Sequence, residues 1–308
     1  MQSIDFPTLL TIIYVLVDDW YKQHAPRLLK GKAGVKPVFS DSEVITLMLA
    51  QDFLCFESET QFLAFMRANY RELFPKLCDQ SQFNRRARRL AGLMEALRRH
   101  WLYQLDGVFE DTLLLDTKPV PVVGYKRGKG HSDFAGSADY GYCASRKLHY
   151  YGYKLVMVTT LSGLPLVYDL VPANTDERAA AETVLADIQG CTFLTDKGFI
   201  GEDWQADVAR ATGNRIFTPM RDNQSPQNPL AFDRLLGHFR ERIEGVFNQI
   251  QNTGRQLERL LRKTIAGIGV HVAAKVASHT LRVLLKKRFG IAVLTFEQHP
   301  VRNSFTLT

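Results

Sequence analysis

The hydrophobic period of this chain changes at Asp111, and the change divides the folds available before it from those available after it. Over residues 1–105 apolar side chains recur at helical spacing. An apolar stretch from Ile4 to Val17 begins a helix near Pro7. Ser40 or Asp41 then caps a helix with Glu43 in its first turn, and Val44, Ile45, Leu47, Met48 and Leu49 lead on to Phe53. Ser58 and Glu59 open another, with Phe62, Leu63, Phe65 and Met66 on its apolar side. Ser81 opens a fourth that runs on to Arg98, Arg99 and His100. After Asp111 the pattern predicts short strands at 113–115, 150–160 and 164–171, the last two joined by a turn at Ser162-Gly163. A helix at 176–186, a strand at 192–195, a helix at 202–211 and a strand at 215–218 follow. A polar loop over 219–229 leads to a long helix at 233–251, with further helices beyond.

This order is more specific than any one element. Three strands joined in a meander, followed by helical crossovers to two more, predict an α/β domain with a mixed five-stranded sheet and flanking helices. The expected division is a helical segment at 1–105, an α/β segment at 106–254 and a helical extension at 255–308. In such a sheet the first and fourth strands lie side by side, which brings their carboxyl ends to one edge.

Composition narrows the partners. A formal charge of +7 suggests a polyanion. Cys55, Cys78, Cys143 and Cys191 are far apart and make no Cys-x-x-Cys pair, which argues against zinc and for reduced thiols in the cytoplasm. The apolar start carries Asp5, Asp18 and Asp19 without a basic leader, so it reads as a helix and not as a signal peptide. The apolar stretch 265–285 is broken by His271, Lys275, His279 and Arg282, so no membrane span is expected.

Three carboxylates carry the candidate chemistry. Asp116 ends the 113–115 strand, Asp196 ends the 192–195 strand, and Glu244 lies in the helix at 233–251. Each has an ordinary reading by itself: aspartate is common in turns after strands, and a helical glutamate among arginines usually forms a solvated ion pair. Together, on two neighbouring strand ends and one helix, they are what two hard divalent ions need. Mg²⁺ takes a few carboxylates plus water and phosphate oxygens, and a pair of ions can clamp an in-line phosphoryl displacement.

Leu-Leu-Asp116-Thr-Lys-Pro-Val-Pro-Val, Tyr150-Tyr-Gly-Tyr-Lys-Leu, Leu170-Val-Pro-Ala-Asn-Thr-Asp176, Leu194-Thr-Asp196-Lys-Gly-Phe-Ile and Arg240-x-Arg242-Ile-Glu244-x-x-Phe247 occur in that order. This set resembles the DDE transposases of bacterial insertion sequences, with the closest resemblance to the insertion-sequence 982 family. One departure is that Gly237 and Gln251 stand where a related pattern has Tyr and Lys. The resemblance implies a ribonuclease H-like catalytic domain preceded by an all-helical DNA-binding domain. It also implies catalytic and metal-binding roles for Asp116, Asp196 and Glu244, with Asp116 shared by two Mg²⁺ ions for which Mn²⁺ substitutes. The implied reaction is nicking of mobile-element ends and joining of the 3′-hydroxyls to target DNA. The implied partners are double-stranded terminal inverted repeats, target DNA and a second copy of the chain.

Basic residues fall where a DNA path is wanted. Arg85, Arg86, Arg88 and Arg89 form a stripe on the helix that Ser81 opens, suited to a helix-turn-helix or to a solvated basic face. Lys126, Arg127, Lys129, Arg146 and Lys147 lie on a loop or hairpin between the first two strands, with His131, Tyr140 and Tyr142 nearby to stack a base or to pack. Lys118, Lys197, Arg240 and Arg242 accompany the carboxylates, while Asp176 suits a helix cap. Arg255, Arg259, Arg262, Lys263 and the Lys286–Arg288 cluster extend the basic surface. Two other functions fit the same residues: a metal-dependent nuclease or resolvase that cuts without joining, and a DNA-binding regulator with a relic core.

Overall fold

The computed structural model describes residues 4–28, 37–125, 133–221, 228–257 and 262–296. The helices are α1 (Phe6–Leu28), α2 (Asp41–Ala50), α3 (Glu59–Asn69) and α4 (Gln80–Gln104). Strands β1 (Thr112–Val123), β2 (Asp139–Cys143), β3 (Leu148–Thr160) and β4 (Pro165–Pro172) follow. Then come α5 (Glu177–Leu185), β5 (Thr192–Leu194), α6 (Glu202–Thr212), β6 (Arg215–Phe217), α7 (Leu230–Asn252) and α8 (Ile265–Phe289). The chain forms two compact units, one from residues 1–98, 252–256 and 270–308, the other from 99–251 and 257–269. Among the described residues no helix is long and apolar enough to cross a membrane.

The helical unit starts from the predicted capping box. The Ser40 hydroxyl accepts from Glu43 N at 3.1 Å while the Glu43 carboxylate accepts from Ser40 N at 2.5 Å, which satisfies two of the orphan donors at the start of α2. Val44, Ile45, Leu47 and Leu49 are all buried, as in a helix surrounded on every side. Most of α8 belongs to this same unit, with Val272, Val276, Leu281 and Leu284 buried. The sequence alone treats that segment as an extension, because its packing partners are more than two hundred residues away. Their most specific contact is a buried charge network. Asp52 accepts from Lys275 Nζ at 2.7 Å, Arg282 Nη1 at 2.8 Å and Thr253 Oγ1 at 3.1 Å. Gly254, at φ +56°, lies so close over Asp52 that an added Cβ would come within 2.5 Å of the Asp52 Cα.

The second unit is built on a six-stranded mixed sheet in the order β2-β3-β1-β5-β6, with β4 also paired to β3. The expected meander is present: β1 pairs antiparallel with β3, and β3 with β4. The expected crossovers are present too, because β5 runs parallel to both β1 and β6. Two expectations need correction. The sheet has six strands and not five, because β2 adds an outer strand where a loop or hairpin was expected. It pairs with residues 148–152 of β3, while β4 takes the rest of that edge. Asp-Tyr-Gly-Tyr-Cys hides the strand, since its aromatic pair is separated by a strand-weakening glycine.

The other correction concerns β1, which does not end at Asp116 but continues to Val123 through Pro119 and Pro121. Both prolines share the strand parity of Asp111, whose carbonyl faces β5 and accepts from Thr192 N at 2.7 Å. Their missing N–H groups therefore face the side where β5 has already stopped at Leu194, an open edge on which proline is harmless. The core beneath the sheet joins Leu113, Leu115, Val156 and Phe193 to Ala180, Val184, Phe199 and Val208.

Candidate active site

The sheet register brings the two aspartates together. The parallel pairing of β1 with β5 ends at Leu114 opposite Leu194, so Asp116 and Asp196 stand two residues beyond the same paired position. Asp116 Oδ1 accepts from its neighbour Thr117 N at 2.7 Å. Asp196 leaves β5 as the cap of a 3₁₀ turn, with Oδ1 accepting from Gly198 N at 2.8 Å. A Cβ on Gly198 would meet Asp196 Oδ1 at 2.9 Å and Glu177 Cγ at 3.2 Å, so a larger residue there would press on both carboxylate side chains.

Helix α7 supplies the third carboxylate. Leu236, Ile243, Phe247 and Ile250 recur at helical spacing and are buried, and the 240/244/248 row runs along the flank of that face. Arg240, Glu244 and Asn248 from that row line a cleft of about 630 Å³ together with Asp116 and Asp196. Glu244 is half exposed and pairs with Arg240 at 3.1 Å. The three carboxylates expected from sequence thus share one cavity, although Glu244 is held by an arginine.

A fourth carboxylate, Glu177, lines the same cleft. It is the first residue of α5, whose N-cap is the adjacent Asp176, accepting from Arg178 N as its capping position requires. Glu177 Oε2 accepts from Thr117 Oγ1 at 2.7 Å, and Oε1 from Lys154 Nζ at 3.2 Å. Lys154 also donates to the Thr175 carbonyl at 2.6 Å. Glu177 therefore touches the residue after Asp116 and lies next to the turn after Asp196, where a Cβ on Gly198 would come within 3.2 Å of its Cγ. In sequence, Asp176 and Glu177 are two adjacent acids at a helix start, and nothing local tells them apart. Arg221 and Lys154 are further lining residues that the sequence reading passes over.

The electrostatics of the site are unbalanced. Burial, and then the charge of Asp196, push the Asp116 pKa up to about 7; the Thr117 N–H and Arg240 lower it only in part, and Glu177 raises it further. Asp116 as a residue stays at the cleft wall with some solvent contact, while its carboxyl group is enclosed by protein. Carboxylates packed this way are stabilised by a cation between them. Among the described residues no three carboxylate, histidine or cysteine side chains converge as a ready-made metal cluster. The donor set is nonetheless the hard-oxygen type suited to Mg²⁺, which takes one or two protein carboxylates and completes its shell with water and phosphate.

The basic residues divide into those that line the cleft and those that do not. Lys118, Arg146, Lys197 and Arg240 line it, with Lys118 Nζ 5.9 Å from the centre of the Phe247 ring. Lys147 is exposed just beyond, in the left-handed region at φ +48°. Arg242 turns away from the cleft, donating to the Leu161 carbonyl at 2.9 Å and stacking over Phe239. On α4, Arg85, Arg88 and Arg89 are exposed, but Arg86 does not belong to the stripe. It pairs with Asp41 at 2.5 Å, donates to the Phe39 carbonyl and sits over the Phe39 ring. Arg98 is likewise buried against Glu95, and Arg255 is buried, while Lys286, Lys287 and Arg288 are exposed. Lys126, Arg127, Lys129, His131 and Arg259 lie outside the described residues.

Residues 107–264, more than half of the chain, match a family model described as a transposase DDE domain. The chain belongs to the DDE transposases. The mixed sheet with flanking helices fits the ribonuclease H-like architecture of such a domain. The matched segment holds every carboxylate of the transposase cleft, and its start at residue 107 falls just before β1. No curated protein and no solved structure matches the chain.

Proposed function

We propose that this transposase nicks DNA at the ends of its own mobile element and joins the freed 3′-hydroxyls to target DNA, using divalent cations held by Asp116, Asp196 and Glu244. The observation that carries this reading is the register-matched pair Asp116 and Asp196 in a cleft whose walls also present Lys118, Arg146, Lys197 and Arg240. Bound Mg²⁺ or Mn²⁺ would activate the attacking oxygen and stabilise the leaving 3′-oxygen. The chain's own part is positional. Asp116 and Asp196 hold their carboxylates side by side through Thr117 N and Gly198 N. Glu177 and Lys154 fix the strand that follows Asp116. The cationic walls grip the phosphates on either side of the scissile bond.

Glu244 enters this chemistry only if the Arg240 pair opens, and incoming phosphate offers Arg240 another anion. The motifs around these residues resemble those of the insertion-sequence 982 family, which supports a bacterial insertion sequence as the substrate. The exposed Arg85, Arg88 and Arg89 on α4 support an N-terminal DNA-binding role, and the need to pair two element ends supports a dimer.

The test uses duplex DNA copied from the sequences flanking the coding region. With Mg²⁺, the wild type is expected to nick this duplex at one position per end, and pre-cleaved ends are expected to join a target plasmid. Cutting without joining would replace the transposition reading with a nuclease. Binding without cutting in either Mg²⁺ or Mn²⁺ would leave only a DNA-binding regulator.

A further inference from the structure

Arg242 and Glu244 are neighbours on α7 with different surroundings. The helix buries Leu236, Ile243, Val246, Phe247 and Ile250. At 3.6 residues per turn, the midpoint of Arg242 and Val246 lies about 180° around the helix from Glu244. One flank of the buried face thus brings Glu244 to the cleft, and the other meets the turn between β3 and β4. Arg242 Nη1 donates to the Leu161 carbonyl of that turn at 2.9 Å. A Cβ on Gly163 would come within 3.2 Å of Val246 Cγ2, so turn and helix are closely packed. The turn is braced from within: Gly163 N, at φ +86°, donates to the Thr160 carbonyl at 3.0 Å, and Leu164 N donates to Thr160 Oγ1 at 3.0 Å. It is also braced from outside. Glu110 accepts from Leu161 N at 3.1 Å through Oε2 and from Ser162 Oγ at 3.2 Å through Oε1. Both backbone groups of Leu161 are therefore engaged, the N–H by Glu110 and the carbonyl by Arg242. Glu110 stands just before β1, the strand that carries Asp116.

Apolar burial is non-directional and by itself fixes the roll of a helix poorly, whereas a hydrogen bond to one carbonyl is directional. Side chains reach about 5–6 Å from the helix axis, so a roll of about 10° moves the Glu244 carboxylate by about 1 Å. A misplacement of that size can cost about a hundredfold in rate. We infer that the turn between β3 and β4 sets the roll of α7 and so aims Glu244 into the cleft, with Arg242 and Glu110 as positioning residues. This rests on the proposed metal role of Glu244 and deepens it. Arg242, which sequence spacing assigns to the DNA path, instead serves the carboxylate from the far flank of the same helix.

The test uses the full chain and duplex copied from the sequences flanking the coding region. Arg242→Ala should lower the maximal nicking rate at saturating Mg²⁺ by about 10–100-fold. Its DNA affinity in EDTA should keep the wild-type salt slope, whereas loss of a phosphate contact would flatten that slope by about 0.9. Arg242→Lys, which keeps a cationic donor, should recover part of the rate. Glu110→Ala should show the same pattern at smaller size, and it serves as the test if Arg242→Ala folds poorly. Mn²⁺ binding on pre-cleaved ends, followed by electron paramagnetic resonance, gives a reading without turnover. Arg242→Ala should weaken one bound ion by about tenfold. In a Glu244→Gln background the same change should weaken Mn²⁺ by less than about twofold, because the two residues act as one unit. Equal losses in both backgrounds, a flattened salt slope, or wild-type nicking and Mn²⁺ binding in Arg242→Ala and Glu110→Ala would overturn the inference. If the wild type does not nick, or if nicking survives Glu244→Gln, the metal role of Glu244 falls and this inference falls with it. Nicking that needs Glu244 but ignores Arg242 and Glu110 sinks the inference alone.

Discussion

Two enclosed aspartates in this chain have opposite surroundings. Asp52, in the helical unit, meets Lys275 and Arg282; burial would raise its pKa, but the two cations outweigh burial and hold it below the usual carboxylate range. Asp116, in the sheet unit, meets Asp196, and burial and that negative neighbour leave its pKa near 7. The first charge is neutralised from within the fold and so is finished as structure. The second is not neutralised from within the fold, and a carboxyl group perturbed in this way at a cleft is a candidate for function.

The sharpest way to break the contrast is to remove each charge. Asp116→Asn or Asp196→Asn should cut Mg²⁺-dependent nicking by about a thousandfold or more, the several kcal/mol a bound ion contributes, with DNA affinity retained in a gel-shift assay. Near-normal nicking by either variant would remove that residue from the metal site. Asp52→Ala should instead destabilise the protein by about 3–5 kcal/mol in urea unfolding, because Lys275 and Arg282 are left buried without their partner. A loss below about 1 kcal/mol would mean that the network contributes little.

Next in size is Glu177. Glu177→Gln should raise the Mg²⁺ concentration for half-maximal nicking by about 10–100-fold, as loss of an outer-shell partner does. The maximal rate at saturating Mg²⁺ should change far less. A fall in that maximal rate with no change in Mg²⁺ dependence would argue against a positioning role.

Acidity offers a subtler contrast, with opposite signs. The folded pKa of Asp116 lies above its unfolded value of about 3.9, so the folded protein holds the extra proton between the two. Without metal, this group adds stability as pH falls from about 7 to about 4. Asp52, with its lowered pKa, adds stability that is present above pH of about 4 and is lost as pH falls further. Melting temperatures in EDTA should therefore show Asp116→Asn more stable than wild type at pH 8, with the advantage shrinking toward pH 5. An advantage that does not depend on pH would contradict the raised pKa. Smallest is the effect on α4: Arg85→Ala, Arg88→Ala and Arg89→Ala should each flatten the salt dependence of DNA binding by about 0.9 in log–log slope. Arg86→Ala should leave that slope alone and lower stability by about 1.5–3 kcal/mol through its bonds to Asp41 and Phe39.

Much of the sheet was legible because its signals are local. The meander, the parallel pair and the long helix carrying Glu244 follow from period, turns and apolar spacing. The strand β2 was not legible, because two tyrosines around a glycine carry too little hydrophobic alternation. Nor was the length of β1, since Pro119 and Pro121 read as breakers until the missing partner on that edge is known. The arginine stripe was legible only as spacing, for the same kind of reason. Spacing identifies which arginines share a helix face, but only the position of Asp41 and Phe39 reveals that Arg86 is turned inward.

The sequence by itself determined the inventory: two aspartates each following an apolar β run, a glutamate on a later helix, the order that makes them neighbours, and the motif set that belongs to DDE transposases. The tertiary structure alone decided that Glu177 joins them, that Arg86 turns inward from its stripe, and that Tyr142 lines the same cleft. It also decided the charge states. Whether a carboxylate is balanced depends on groups dozens to hundreds of residues away, and Coulomb energy depends on distance through space and on burial, neither of which is written along the chain.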